Sequence, residues 1–139
     1  MKANNIEEFF GTLQQSAVEA WKEHLKTDKY SKHMALDEFY KEMPELVDTL
    51  IEDYMGIYGK IEEYKNVMSV EKISAVDYLK ELRQFVKDGK NNIIKSDDTE
   101  LLSDIDAILS QIDSTLYKLK ELKESNIMSL PDFLNESLR

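Results

Sequence analysis

Residues 23–52 read EHLKTDKYSKHMALDEFYKEMPELVDTLIE. From Met34 onward apolar side chains recur at Leu36, Phe39, Tyr40, Met43, Leu46, Val47, Leu50 and Ile51, three or four residues apart. That is the repeat of a helix with a face on a core. The phase continues through Tyr54, Ile57, Tyr58 and Ile61, so one long helix is expected over about 31–65, with Ser31 as its N-cap. It is apolar over more than one stripe, as suits a helix that meets both its own bundle and a partner. Pro44 lacks a backbone donor and is expected to kink this helix rather than split it, because the apolar phase is kept across it. Gly56 and Gly59 weaken the later turns or allow another backbone to come close.

Upstream, Ile6, Phe9, Phe10, Leu13, Ala17, Trp21 and Leu25 predict an amphipathic helix over about 5–26. Asn4 or Asn5 can cap it, with Glu7 and Glu8 in the first turn, where the helix dipole favours acids. Downstream, a break near 66–70 precedes a third helix over about 70–90, carrying Ile73, Val76, Leu79, Leu82, Phe85 and Val86. Asp97 with Glu100 forms a capping box for a fourth helix over about 97–124, where Leu101, Ile105, Ile108, Ile112, Leu116 and Leu119 keep the cleanest period in the chain. Pro131 opens a short tail helix within 126–139. The expectation is an all-α four-helix bundle over 1–125 followed by that tail.

Composition agrees. The 139 residues include only four glycines and two prolines, so turns are few and elements long. Hydrophobic residues make up 42% and charged residues 33%, a globular balance. There is no cysteine, which removes disulfides and thiolate chemistry. No stretch is apolar enough for a signal peptide or a membrane span, so a cytoplasmic location is expected. A net charge of −10 argues against direct DNA binding, where Lys and Arg must neutralise phosphates. No Gly-rich phosphate loop or nucleophile elbow is present, which leaves metal chemistry as the one constellation with substance.

The chain holds two histidines, His24 and His33. On the long helix His33 shares a face with Asp37, and Asp48 shares one with Glu52. The two pairs are 15 residues apart, roughly 22 Å along a helix, too far to share a metal within one chain. Two copies packed antiparallel about Glu42 and Met43 would place His33 and Asp37 of one beside Asp48 and Glu52 of the other, with His24 close by. Such a mixed imidazole and carboxylate set suits ferrous iron or another first-row divalent metal. The plainer reading is that these residues are solvated surface and local ion pairs.

The order His, spacer, His-x3-Asp, then Asp-x3-Glu resembles the Dps-type miniferritins of the ferritin-like superfamily. The stretch DDTELLSDIDAILSQIDSTLYKLKEL is similar to that family's last bundle helix. Small phage-encoded ferritin-like proteins look closer still, notably in HLKTDKYSKHMALDEFY. The resemblance implies a ferritin-like bundle that oxidises Fe(II), as a ferroxidase, at sites shared across a two-fold homodimer interface. It further implies storage of the mineral in a twelve-subunit shell in the cytoplasm of a bacterium or an infected host. By position it assigns His24, His33, Asp37, Asp48 and Glu52 as metal ligands. A single early lysine replaces a basic arm, so the DNA-binding role is not carried over. The alternative is a non-catalytic, metal-free interaction or scaffold protein of phage origin.

Overall fold

Asn5 opens the first helix, α1 (Ile6–Lys26), its side chain accepting from the Glu8 amide while Glu8 accepts from the Asn4 amide. This reciprocal pair satisfies two amides that the first turn leaves without helical partners. The computed structural model describes residues 1–121; the expected tail helix and the last residues of the expected fourth helix lie outside them. Three further helices follow: α2 (Tyr30–Tyr58), α3 (Ala75–Asn92) and α4 (Thr99–Glu121).

They form the expected all-α four-helix bundle. Phe10 meets Tyr54 and His24 meets His33, so α1 and α2 run antiparallel. Arg83 pairs with Asp113 and Lys90 with Asp106, which makes α3 and α4 antiparallel too. Tyr58 bonds Asp98 and Glu38 bonds Lys118, placing α4 antiparallel beside α2. α2 and α3 are therefore parallel across a diagonal, joined by the one long crossover, residues 59–74. Four fully buried phenylalanines, Phe9, Phe10, Phe39 and Phe85, anchor a core completed by Leu13, Leu36, Met43, Leu50, Leu82, Ile105, Ile108 and Ile112.

α2 runs unbroken through Pro44 but ends at Tyr58, short of the expected 65. Gly59, at φ 94° and ψ 176°, takes an extended positive-φ conformation open essentially to glycine alone, which carries the chain out of the helix. The apolar residues that continued the phase serve another purpose. Residues 59–70 extend back along α1, where the Lys65 amide donates to the Glu7 carbonyl and the Val67 amide to the Thr12 hydroxyl. Met68 and Val70 are buried there. Gly11 permits this approach, since a Cβ on it would sit 2.6 Å from the Lys65 carbonyl carbon.

Three other boundaries move. α2 starts at Tyr30, so Ser31 lies inside the helix rather than capping it, its hydroxyl buried without a partner. α3 begins at Ala75, capped by Ser74, and continues to Asn92 because Gly89 fits under the Phe9 ring instead of ending the helix. α4 begins at Thr99, one residue later than an Asp97 cap requires. Among the described residues no helix is long and apolar enough to cross a membrane.

Candidate metal centre

Residues 27–29 turn the chain from α1 into α2, and the hairpin brings the two histidines together. Their rings lie 3.6 Å apart, tilted by 30°. His24 Nδ1 is 2.9 Å from the His33 carbonyl oxygen, and His33 Nδ1 is 3.1 Å from the His24 carbonyl oxygen. A carbonyl oxygen only accepts, so both Nδ1 atoms carry protons and donate. In each neutral ring Nε2 then keeps its lone pair. Metal-binding imidazoles are held in this tautomer by a bond from the far nitrogen to a backbone carbonyl or carboxylate. The reciprocal pair also clasps the α1–α2 turn.

Asp37, one turn beyond His33, completes the group. Its Oδ1 lies 4.0 Å from His24 Nε2, and its Oδ2 takes the Lys41 ammonium at 3.0 Å. Burial works to raise the Asp37 carboxyl, but Lys41 and the Tyr40 hydroxyl beside it outweigh that and hold it below its ordinary value. Tyr40 also lies against the His24 ring at 5.1 Å and stacks on Trp21 at 5.9 Å. His24 is buried, while His33 and Asp37 are partly open to solvent.

The structure thus sets His24 against the His33 ring and its Nε2 towards Asp37, at one end of the α1–α2 hairpin. Asp48 and Glu52 stay apart from them, exposed farther along α2. Among the described residues no three His, Asp or Glu side chains of one chain are gathered so as to hold a metal ion. The donor types present, imidazole and carboxylate, fit a first-row divalent cation.

Two features of this face escaped sequence reasoning. Lys41 follows Asp37 by four residues, the helical spacing of an ion pair. Charge is also divided along α2. Residues 42–58 hold Glu42, Glu45, Asp48, Glu52 and Asp53 with no Lys or Arg, whereas in residues 19–41 the lysines Lys22, Lys26, Lys29, Lys32 and Lys41 balance Glu19, Glu23, Asp28, Asp37 and Glu38. Val18, Trp21 and Leu25 on α1 and Met34 on α2 add exposed apolar surface.

A second group lies where α4 crosses α2. Asp104 Oδ2 is buried without a donor, and the side chain bonds Asp53 across the helix interface, with Glu100 nearby. Burial first, then Asp53 and Glu100, push the Asp104 carboxyl up to about 6. At the adjoining helix ends the Tyr58 hydroxyl donates to Asp98, which together with burial raises the phenol to about 12.

The model of a family of unknown function, DUF5856, matches residues 24–119, and the chain belongs to that family. The match begins at His24 and spans all five candidate ligands. An uncharacterized 14.6 kDa protein from the mobD–ri intergenic region of Enterobacteria phage T4 is 28% identical over 120 residues. That alignment covers 85% of this chain and 90% of the relative. No solved structure matches the chain.

Proposed function

We propose that this member of the DUF5856 family is a ferritin-like protein that binds, oxidises and sequesters Fe(II) at sites shared by two copies of the chain. The observation that carries the reading is the reciprocal histidine pair. Both Nδ1–H groups are committed to backbone carbonyls, which leaves each Nε2 lone pair free in the neutral ring, that of His24 facing a carboxylate whose ionised form is favoured.

His24, His33 and Asp37 of one chain would supply only part of the ligand set, since no three such side chains of one chain are gathered to hold a metal by themselves among the described residues. Asp48 and Glu52 of a second chain, packed antiparallel, would complete the set. The division of charge along α2 is compatible with that pairing, since it sets the acidic 42–58 run of one copy against the charge-balanced end of the other and not against a second acidic run. The exposed Val18, Trp21 and Leu25 supply apolar area at the same face. The single long crossover is the connectivity of ferritin-like bundles. Each Fe(II) gives one electron to external dioxygen or peroxide, and the ferric product is retained in a larger shell. The phage T4 relative favours a setting inside an infected bacterial cell.

The test is aerobic addition of Fe(II), followed by the absorbance of Fe(III), together with mass in solution. His33→Ala and Asp48→Ala should each abolish rapid oxidation while helicity is kept. Unchanged kinetics in both variants would remove the site. A second reading, a metal-free scaffold, rests on the same exposed Trp21 and Leu25. It expects a dimer that carries no iron and docks other proteins.

A further inference from the structure

All four helices meet at one end of the bundle, where α1 and α4 finish and α2 and α3 begin. The far end is closed from within, because Ala3 ahead of α1 and Ile94 beyond α3 are both buried in the core. Among the described residues the near end is open, and the turn at 27–29 carries no apolar side chain to close it. A cavity of about 240 Å³ there is walled by Leu36 of α2, Ala75 and Val76 of α3 and Leu119 of α4, with Lys26 and Lys32 on its rim. We propose that this mouth is the docking site of the chain's own C-terminal segment, which fills it with Phe133, Leu134 and Leu138. The assignment does not depend on the metal-binding reading above.

The course of the chain selects the occupant. Leu119 lines the mouth and Glu121 ends α4 just after it, so residues 122–139 leave the helix beside the cavity. Within them LPDFLNESL sets Leu130, Phe133, Leu134 and Leu138 at helical spacing, with Asp132 and Glu136 on the flank beside Phe133. Those acids complement the two rim lysines, and Lys32 has no ion-pair partner among the described residues. From Glu121 to Phe133 the chain can span up to about 40 Å, ample for a return onto an adjoining site. A connection this short holds the segment at an effective concentration on the order of millimolar, which favours it over the same segment of a second copy in dilute solution. The volume agrees as well. Small-molecule sites run from about 300 to about 1,000 Å³, so this mouth suits a few apolar side chains better than a free ligand.

The experiment attaches a nitroxide to Asn135→Cys, off the apolar stripe, whose thiol is unique in a chain without cysteine. Paramagnetic broadening of backbone amides is then read by NMR in the full chain. Amides of Lys32, Val76 and Leu119 should lose most of their intensity, while those of Gly59 and Ile94 at the far end keep theirs. Phe133→Asp removes one buried apolar side chain, should weaken docking about tenfold or more, and should return the mouth amides to full intensity. Val76→Glu should do the same from the other side of the contact with helicity kept, and Phe133→Leu should retain the broadening. Mouth amides that stay sharp in the nitroxide-bearing chain would overturn the assignment, as would broadening that Phe133→Asp leaves in place. Broadening that passes only between copies, in a mixture of nitroxide-bearing and isotope-labelled chains, would give the mouth to a second copy's segment and overturn it too.

Discussion

Asp104 should make this bundle less stable as pH rises from about 4 to about 7, and Asp104→Asn should remove that trend. The carboxyl is pushed from 3.8 in the unfolded chain to about 6 where α4 meets Asp53 of α2. A raised carboxyl means that the fold prefers the protonated form. Its contribution is fully present below the unfolded value and is lost as pH climbs through the folded one. A shift of about two pH units corresponds to about 3 kcal/mol in full. Of this, about 1.4 kcal/mol develops between about pH 8 and about pH 5. Asp104 is only partly buried, and solvent screening trims that span to about 1 kcal/mol.

Asparagine keeps the shape and can donate to Asp53 without titrating. At about pH 8 the full shift, screened in the same proportion, separates the two proteins, so the variant should exceed wild type by about 2 kcal/mol, a rise of about 7 °C in melting temperature. Urea unfolding followed by circular dichroism at the two pH values supplies both numbers. Equal slopes with pH in the two proteins, or a less stable variant at about pH 8, would refute the shared-proton account.

Other perturbations test the packing. Gly11→Ala should cost about 1–3 kcal/mol, because its Cβ meets the Lys65 backbone, which cannot move without releasing the crossover. Gly56→Ala, with nothing within 4 Å of its Cβ and a place inside α2, should instead gain about 0.5–1 kcal/mol; denaturant midpoints distinguish the two signs. Phe85→Ala empties a fully buried site against Phe9 and should lower stability by about 3–5 kcal/mol in the same assay. Asn5→Ala, which removes the acceptor for the Glu8 amide, should cost about 1 kcal/mol; a loss below about 0.3 kcal/mol would mean that water replaces the cap.

Sequence reading succeeded where the determinants were local. α1 was legible because its cap, its acidic first turn and its apolar period all lie within the helix. The His33–Asp37 register was legible because four residues along a helix fix a shared face. The end of α2 was misread because Ile61 keeps the apolar phase, yet Gly59 turns the chain and the following residues pack on α1. Periodicity records which residues are buried, and not which element covers them. The tautomer of the histidines was beyond sequence for a similar reason, since main-chain carbonyls set it. The Asp53–Asp104 contact joins residues far apart in the chain, with no pattern to announce it.

The crossover divides the molecule in a way that bears on how it forms. Each hairpin, α1–α2 and α3–α4, closes over a short turn, so its contacts are near neighbours along the chain and cost little loop entropy. Residues 59–74 are the covalent seam between them, and Glu62 and Glu63 on that seam are exposed. A chain parted between those two residues would leave Lys65 and Val67 on the second fragment, still able to dock against Glu7 and Thr12 of the first. The fold is in that sense a heterodimer of two helical hairpins whose subunits happen to be tied.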